Sequence, residues 1–260
     1  EMMAVGGTAT QLAMLELGLP VYQSDKVHGF LLSYEMIHAW YHRLTAMQRE
    51  ERTMANRFSV ASYSFHGLLA AGAMNLFHYF ETVRYRYNLD TADIWNGMLV
   101  SYEEEYLELV KQQMEEHGLQ LVNLCCDGAH IWNQDEAQKA ACDRRAQECL
   151  RAAELLGAQT VRIDLGIVEE EASDEQIERC AKVYDRYCQQ AAAFGARLGP
   201  ENHWGASTNV QVMRKLFQAV KAENFSMLLH LGNWRCTPGV DFSAGCAYDR
   251  EFAPKAMHMH

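Results

Sequence analysis

The chain has 260 residues, 49% of them hydrophobic, and a formal charge of −11 at neutral pH. That length suffices for one large core or two small ones. The charge excludes a general nucleic-acid binder, which needs a basic face to displace counterions from phosphates. The eight cysteines show no CxxC pair and no regular framework, so reduced, mostly buried thiols in a cytoplasmic protein are expected. The stretch from Met2 to Val21 carries Glu16, glycines and no basic flank, which fits neither a membrane span nor a signal peptide.

Residues 1–53 follow no repeat, although "SYEMIHAWYHRLTAMQRE" (33–50) reads as helical. They are taken as an N-terminal helical segment, with a separate fold unit running over 54–260 from Met54. From Arg57 the chain alternates. "RFSVASYSF" (57–65) reads as a strand, rich in β-branched and aromatic residues, and "DTADIW" (90–95) as a second. "SYEEEYLELVKQQMEEHG" (101–118) has a capping serine, acids in its first turn, helical apolar spacing and a stopping glycine. The strand "LQLVNLCCDG" (119–128) follows, then a helix over 135–157, the strand "AQTVRIDLG" (158–166) and a helix over 173–195. "ARLGPENHWG" (196–205) is a strand, 207–221 a helix, "FSMLLHLGNW" (225–234) a strand, and "APKAMHMH" (253–260) another.

Helices that end in glycine and lead straight into strands mark repeated βα units and a parallel sheet. The interval from Glu201 to His230 is 29 residues and from His230 to His260 it is 30, close to the roughly 30 residues per unit of an eight-fold barrel. A doubly wound open sheet would alternate in the same way, but no Gly-rich phosphate loop follows the first strand. The expected fold is therefore α/β, a (β/α)8 TIM barrel. The strand count reaches seven at His260, so strand eight is expected beyond it.

Chemistry in such a barrel sits on the C-terminal rim of its strands, and "GPENHWGAS" (199–207) concentrates it. Gly199 and Pro200 bend the chain out of strand five and place Glu201 on the rim, a ligand or base position. His203 is placed to touch substrate. Arg162 and Asp164 share one face of their strand, either as a buried ion pair or with Arg162 as an anchor for a substrate oxyanion. The tryptophans at strand ends, Trp204 and Trp234 among them, suit the apolar faces of sugars or core packing. Asn202 and His66 complete the substrate-facing set, and Asp127 lies on the same rim. In "MHMH" the side chains of His258 and His260 share a face.

The segments "FSVASYSFHG", "VRIDLG", "GPENHWG", "LLHLGNW" and the closing "HMH" resemble the sugar phosphate isomerase/epimerase superfamily, the xylose isomerase-like barrels, over about Arg57 to His260. The resemblance implies a divalent metal on the rims of strands five to eight, held by Glu, Asp, His and Glu. By position Glu201 matches the first Glu and His260, rather than His258, matches the His. His230 stands where many members have Asp, and the last Glu would lie beyond residue 260. Glu201, His230 and His260 are thus the expected ligands, with Glu201 and His203 catalytic.

The function this implies is isomerisation or epimerisation of a sugar, sugar phosphate or related keto-polyol, by proton transfer through an enediolate. Imidazoles with carboxylates suit Mn²⁺ first, with Zn²⁺, Co²⁺ or Fe²⁺ as alternatives, better than Mg²⁺. The expected partner is a small carbohydrate, with neither nucleic acid nor membrane, and a homo-oligomer stays open. A catalytically silent carbohydrate- or partner-binding barrel is the alternative, supported by the histidine at position 230. A metal-dependent phosphodiesterase or endonuclease is a third reading; its rim would rest on Asp93, Asp127 and His130, and the acidic charge opposes it.

Overall fold

The computed structural model describes residues 7–18, 24–27, 33, 35–40, 58–235 and 243–260. Strands β1 (Thr91–Trp95), β2 (Gln120–Cys126), β3 (Thr160–Ile163) and β4 (Arg197–Gly199) form a parallel sheet in chain order. Strands β5 (Met227–Leu229) and β6 (Ala256–Met259) form a parallel pair. Parallel bridges from Leu198 to Phe225 and from Glu201 to Leu228 join the two sheets. The strand order therefore follows the chain, each parallel neighbour being reached through an intervening helix, as a βα repeat requires.

Helices α1 (Gly7–Glu16) and α2 (Ser24–Val27) precede the barrel. Within it come α3 (His66–Ala70), α4 (Leu76–Glu81), α5 (Glu104–Glu116), α6 (Glu136–Leu156), α7 (Asp174–Ala192), α8 (Val210–Ala219) and α9 (Ser243–Phe252). Local chemistry sets several boundaries. Asp135 caps α6 by accepting from the Gln138 N–H at 2.8 Å, and α6 stops where Gly157 takes φ 72°. Ser173 and Gln176 form a reciprocal capping box on α7. Of the expected helix over 33–50, residues 35–40 are helical and most of the rest lies outside the described residues.

The expected strand over 57–65 is a correction. Residues 58–60 have no regular structure, Ala61 makes a single parallel bridge to Asp93, and Ser62–Phe65 is a 3₁₀ turn. Side chains replace the backbone ladder. Thr91 Oγ1 donates to the Phe58 carbonyl, the Trp95 N–H donates to Ser62 Oγ at 2.7 Å, and the Tyr79 hydroxyl donates to the Val60 carbonyl at 2.6 Å. The segment lies where the first strand belongs and is tethered to β1 without continuous pairing.

One apolar core runs from Leu76 to Phe252, with Tyr79, Phe80, Tyr184 and Phe252 fully buried. A small separate cluster of Ala13, Met14 and Val27 belongs to the N-terminal helices, and α2 also rests against α9. The six cysteines whose side chains are described are all free and buried. No helix among the described residues is long and apolar enough to cross a membrane.

Strand register positions the site. Trp95 pairs with Cys125, Cys125 with Arg162, and Arg162 with Gly199. Side chains alternate along strands, so Asp127, Asp164 and Glu201, each two residues further on, emerge together at the C-terminal rim. Gly199 permits this approach: a Cβ there would lie 1.6 Å from the Ser226 carbonyl oxygen. Gly205, at φ 55°, brings the next loop against Ile167.

Candidate active site

Glu201 follows β4 directly and is buried. Its Oε1 lies 3.1 Å from Nδ1 of His230 and 3.4 Å from Nδ1 of His260, while its Oε2 lies 3.3 Å from Nε of Arg162 and 3.4 Å from Nδ1 of His203. One carboxylate thus collects three histidines and an arginine from four strand ends. Burial alone would raise the Glu201 carboxyl, but His230, His260 and Arg162 hold it well below the usual range.

Arg162 is buried on β3 and serves three carboxylates. Its Nη1 donates to Asp127 Oδ1 at 2.7 Å and to Asp164 Oδ2 at 2.9 Å, and its Nε faces Glu201. Asp127 also accepts from the Trp95 indole at 2.6 Å, and Asp164 from the Trp204 indole at 3.1 Å. Burial pushes against ionisation of Asp127, and Arg162 overcomes it to keep that carboxyl below its ordinary value.

Asp93, on β1, is the second buried acid. Its Oδ2 lies 2.9 Å from Nε2 of His258 and 3.0 Å from Nε2 of His260, and Asn123 Nδ2 donates to its Oδ1 at 2.9 Å. The two imidazoles hold the Asp93 carboxyl far below normal against the opposing effect of burial. His260 sits between both acids. Burial would lower its pKa, but Asp93 and Glu201 push it up to about 10.

Three carboxylates, Asp127, Asp164 and Glu201, thus surround one guanidinium, a fourth, Asp93, faces His258 and His260, and the balance of charge falls to the histidines or to a cation. Three buried polar atoms, Asp164 Oδ1, His203 Nδ1 and Arg162 Nε, lack a well-formed hydrogen bond among the described residues. The donor atoms of Asp164, Glu201 and His203 lie within 4.8 Å of one another, as do those of Asp93, Cys125 and His260. The first is an oxygen and imidazole set and the second adds a sulfur, and both fit a divalent ion.

The comparisons with known proteins bear on this rim. Residues 77–260 match the family described as xylose isomerase-like TIM barrel. The chain belongs to that family. No curated protein is similar in sequence. Among solved structures, the probable 3-DHS dehydratase AsbF of Bacillus anthracis is similar at TM-score 0.61 and 13% identity, over 78% of this chain and 72% of that one. The 3-keto-D-glucoside 4-epimerase YcjR of E. coli is similar at TM-score 0.57 and 15% identity, over 72% and 73%. The IolI protein, solved with a zinc atom, is similar at TM-score 0.57 and 15% identity, over 72% and 67%. At these identities the likeness is one of fold.

Within this xylose isomerase-like barrel the residues singled out from sequence divide into two groups. Glu201, His203, His230, His260 and Arg162 converge, with Trp204 beside them on Asp164. The other three lie apart. Asn202 is fully buried and gives both ends of its amide to the backbone of His230, which leaves neither end for a substrate. Trp234 is buried, donates to Asp249 at 2.8 Å and packs 4.7 Å from the Phe252 ring, so it is core rather than a sugar wall. His66 is exposed at the start of α3, stacked 4.6 Å from Tyr63.

Asp93 and Asp164 carry more of the site than the sequence suggested. Their signal was present: each is an acid on the same strand face as a polar or aromatic residue two positions away, inside an otherwise apolar strand. Asp93 is visible in "TADIW" and Asp164 in "VRIDLG".

Proposed function

We propose that this barrel is a divalent-metal-dependent isomerase or epimerase of a sugar, sugar phosphate or related keto-polyol. The observation that carries the reading is the division of Glu201: Oε1 faces two histidine nitrogens at 3.1 and 3.4 Å, and Oε2 faces His203 and Arg162. Glu201, His230 and His260 would hold the ion. When bound, it polarises a carbonyl and the adjacent hydroxyl and so acidifies the intervening C–H.

The remaining work falls to the protein. Glu201 is kept ionised by its partners, the form a base requires, and takes the carbon-bound proton. His203, with Nδ1 3.4 Å from Glu201 Oε2, receives or returns a proton on the same face. Arg162 offsets the clustered negative charge and orients Glu201. Trp204, anchored on Asp164 and edge-on to His130 at 5.3 Å, offers an apolar wall to a sugar. The ion is of the Mn²⁺, Zn²⁺, Co²⁺ or Fe²⁺ type, since nitrogen ligands disfavour Mg²⁺.

The test is exchange with solvent. Ketoses, keto-polyols and their phosphates are incubated with the protein and Mn²⁺ in D₂O, and deuterium incorporation is read by mass spectrometry. Incorporation that disappears in Glu201→Gln supports the reading. Isomerisation without incorporation would remove Glu201 from the base role. Sugar binding with neither outcome would favour the catalytically silent carbohydrate-binding barrel.

A further inference from the structure

A second cluster lies on the opposite edge of the His260 ring, inside the barrel. His258 and His260 share one face of β6 and cross to Asp93 on β1, each placing Nε2 on the same oxygen, at 2.9 and 3.0 Å. Their rings stand nearly perpendicular, 83° apart with centroids 5.4 Å apart, and the two Nε2 atoms converge on that oxygen, each able to serve as a ligand once deprotonated. The Cys125 sulfur joins them: Sγ, an Asp93 oxygen and a His260 nitrogen all lie within 4.8 Å of one another.

The surroundings are built to hold these donors. Asn123 Nδ2 donates to Asp93 Oδ1 at 2.9 Å and to Cys125 Sγ at 3.2 Å, so one amide positions two of them. Thr160 Oγ1 in turn donates to Asn123 Oδ1 at 2.9 Å and fixes that amide's orientation. The Asp93 N–H donates to the Tyr79 hydroxyl at 2.9 Å. Partners of this kind orient ligands and raise metal affinity.

We propose that Asp93, Cys125, His258 and His260, the last through Nε2, form a transition-metal site within the barrel, with zinc as the fitting ion. One carboxylate oxygen, two imidazole nitrogens and one thiolate are the donor types and the number that a tetrahedral zinc centre uses. They come from β1, β2 and β6, or the residue after it, so the ion would tie strands far apart in the chain. A hydrogen-bonded acid between two imidazoles would need no sulfur. The site lies beyond the reading above. His260 faces the Glu201 cluster with Nδ1 and this one with Nε2; a neutral ring serves one ion at a time, and its other N–H is then held by the opposite carboxylate.

Cobalt is the probe, because a thiolate bound to Co²⁺ gives a charge-transfer absorption that nitrogen and oxygen ligands do not. The chelator-treated full chain is titrated with Co²⁺ alone. A thiolate–cobalt band should appear and saturate, vanish in Cys125→Ser, and persist in His230→Ala. In His258→Gln cobalt affinity should fall by about tenfold or more, with circular dichroism verifying that each variant is folded. Cobalt bound without the band, or a band and affinity unchanged in His258→Gln, overturns the site. If Cys125→Ser does not fold, His258→Gln decides. The band present without solvent exchange on any sugar would sink the proposed function and leave this site standing.

Discussion

Asn202 and His230 hold each other by two hydrogen bonds: Asn202 Nδ2 donates to the His230 carbonyl at 2.9 Å, and the His230 N–H donates to Asn202 Oδ1 at 2.8 Å. A side-chain amide thereby continues the pairing of β4 and β5 past their last backbone contacts. It also fixes where His230 leaves its strand, 3.1 Å from Glu201. Asn202→Leu should leave the His230 N–H unsatisfied and its carbonyl with only the Asn233 N–H at 3.3 Å, a cost of about 1–3 kcal/mol. The melting temperature should fall well below wild type; an unchanged value would show that the pair does not hold the strand ends.

Tyr79 performs a similar task for the segment before β1. Its hydroxyl donates to the Val60 carbonyl and accepts from the Asp93 N–H. Tyr79→Phe keeps the ring in the core and deletes only these bonds. A loss of about 1–3 kcal/mol in urea unfolding is expected, together with faster hydrogen exchange near residue 60. Exchange equal to wild type would mean that the bridge at Ala61 suffices.

Glycine positions separate strain from clash. Gly199→Ala places a methyl group 1.6 Å from the Ser226 carbonyl oxygen, so β4 and β5 must separate, at a cost of about 3 kcal/mol or more. Gly157→Ala, at φ 72° with nothing within 4 Å, should cost only about 1–2 kcal/mol, the left-handed penalty. Similar denaturation midpoints for the two variants would contradict the packing described at the rim.

Arg162 is the only guanidinium among the described residues that pairs with the three acids Asp127, Asp164 and Glu201. Arg162→Met strands buried carboxylates, and a loss of about 3–5 kcal/mol is expected. Added Mn²⁺ should restore part of the melting temperature, since a cation answers the same charge. In the wild type, Arg162 depresses the Asp127 carboxyl. That contribution is complete above the unfolded value of about 4 and is lost as pH falls through the lower folded value. The acid limb of stability against pH should therefore flatten in Arg162→Met, and an unaltered limb would discount the pair.

The boundary at Met54 is a proposal of the same testable kind. Ala13, Met14 and Val27 make a cluster separate from the main core, although α2 touches α9. A variant beginning at Met54 should retain one cooperative thermal transition with a modest shift. Loss of the transition would make the N-terminal helices part of the barrel's core.

Much of this protein was legible along the chain. Helices 104–116, 136–156, 174–192 and 210–219 lie within the stretches marked by caps, apolar spacing and stopping glycines, because helical hydrogen bonds and caps join residues a few positions apart. The 29- and 30-residue intervals among Glu201, His230 and His260 recorded the βα unit and brought those residues to one rim. The strand expected at 57–65 failed because β-rich composition measures fit to a sheet surface, and here side chains of Thr91, Ser62 and Tyr79 supply the attachments instead. The rest depended on closure of the fold. Asp93 meets His258 across a sequence separation of 165 residues, and Trp234 turns into the core because Asp249 and Phe252 stand behind it. A residue's type and local period set which face it occupies, but the partner on that face is chosen by strand register and barrel curvature, which exist only once distant units have packed together.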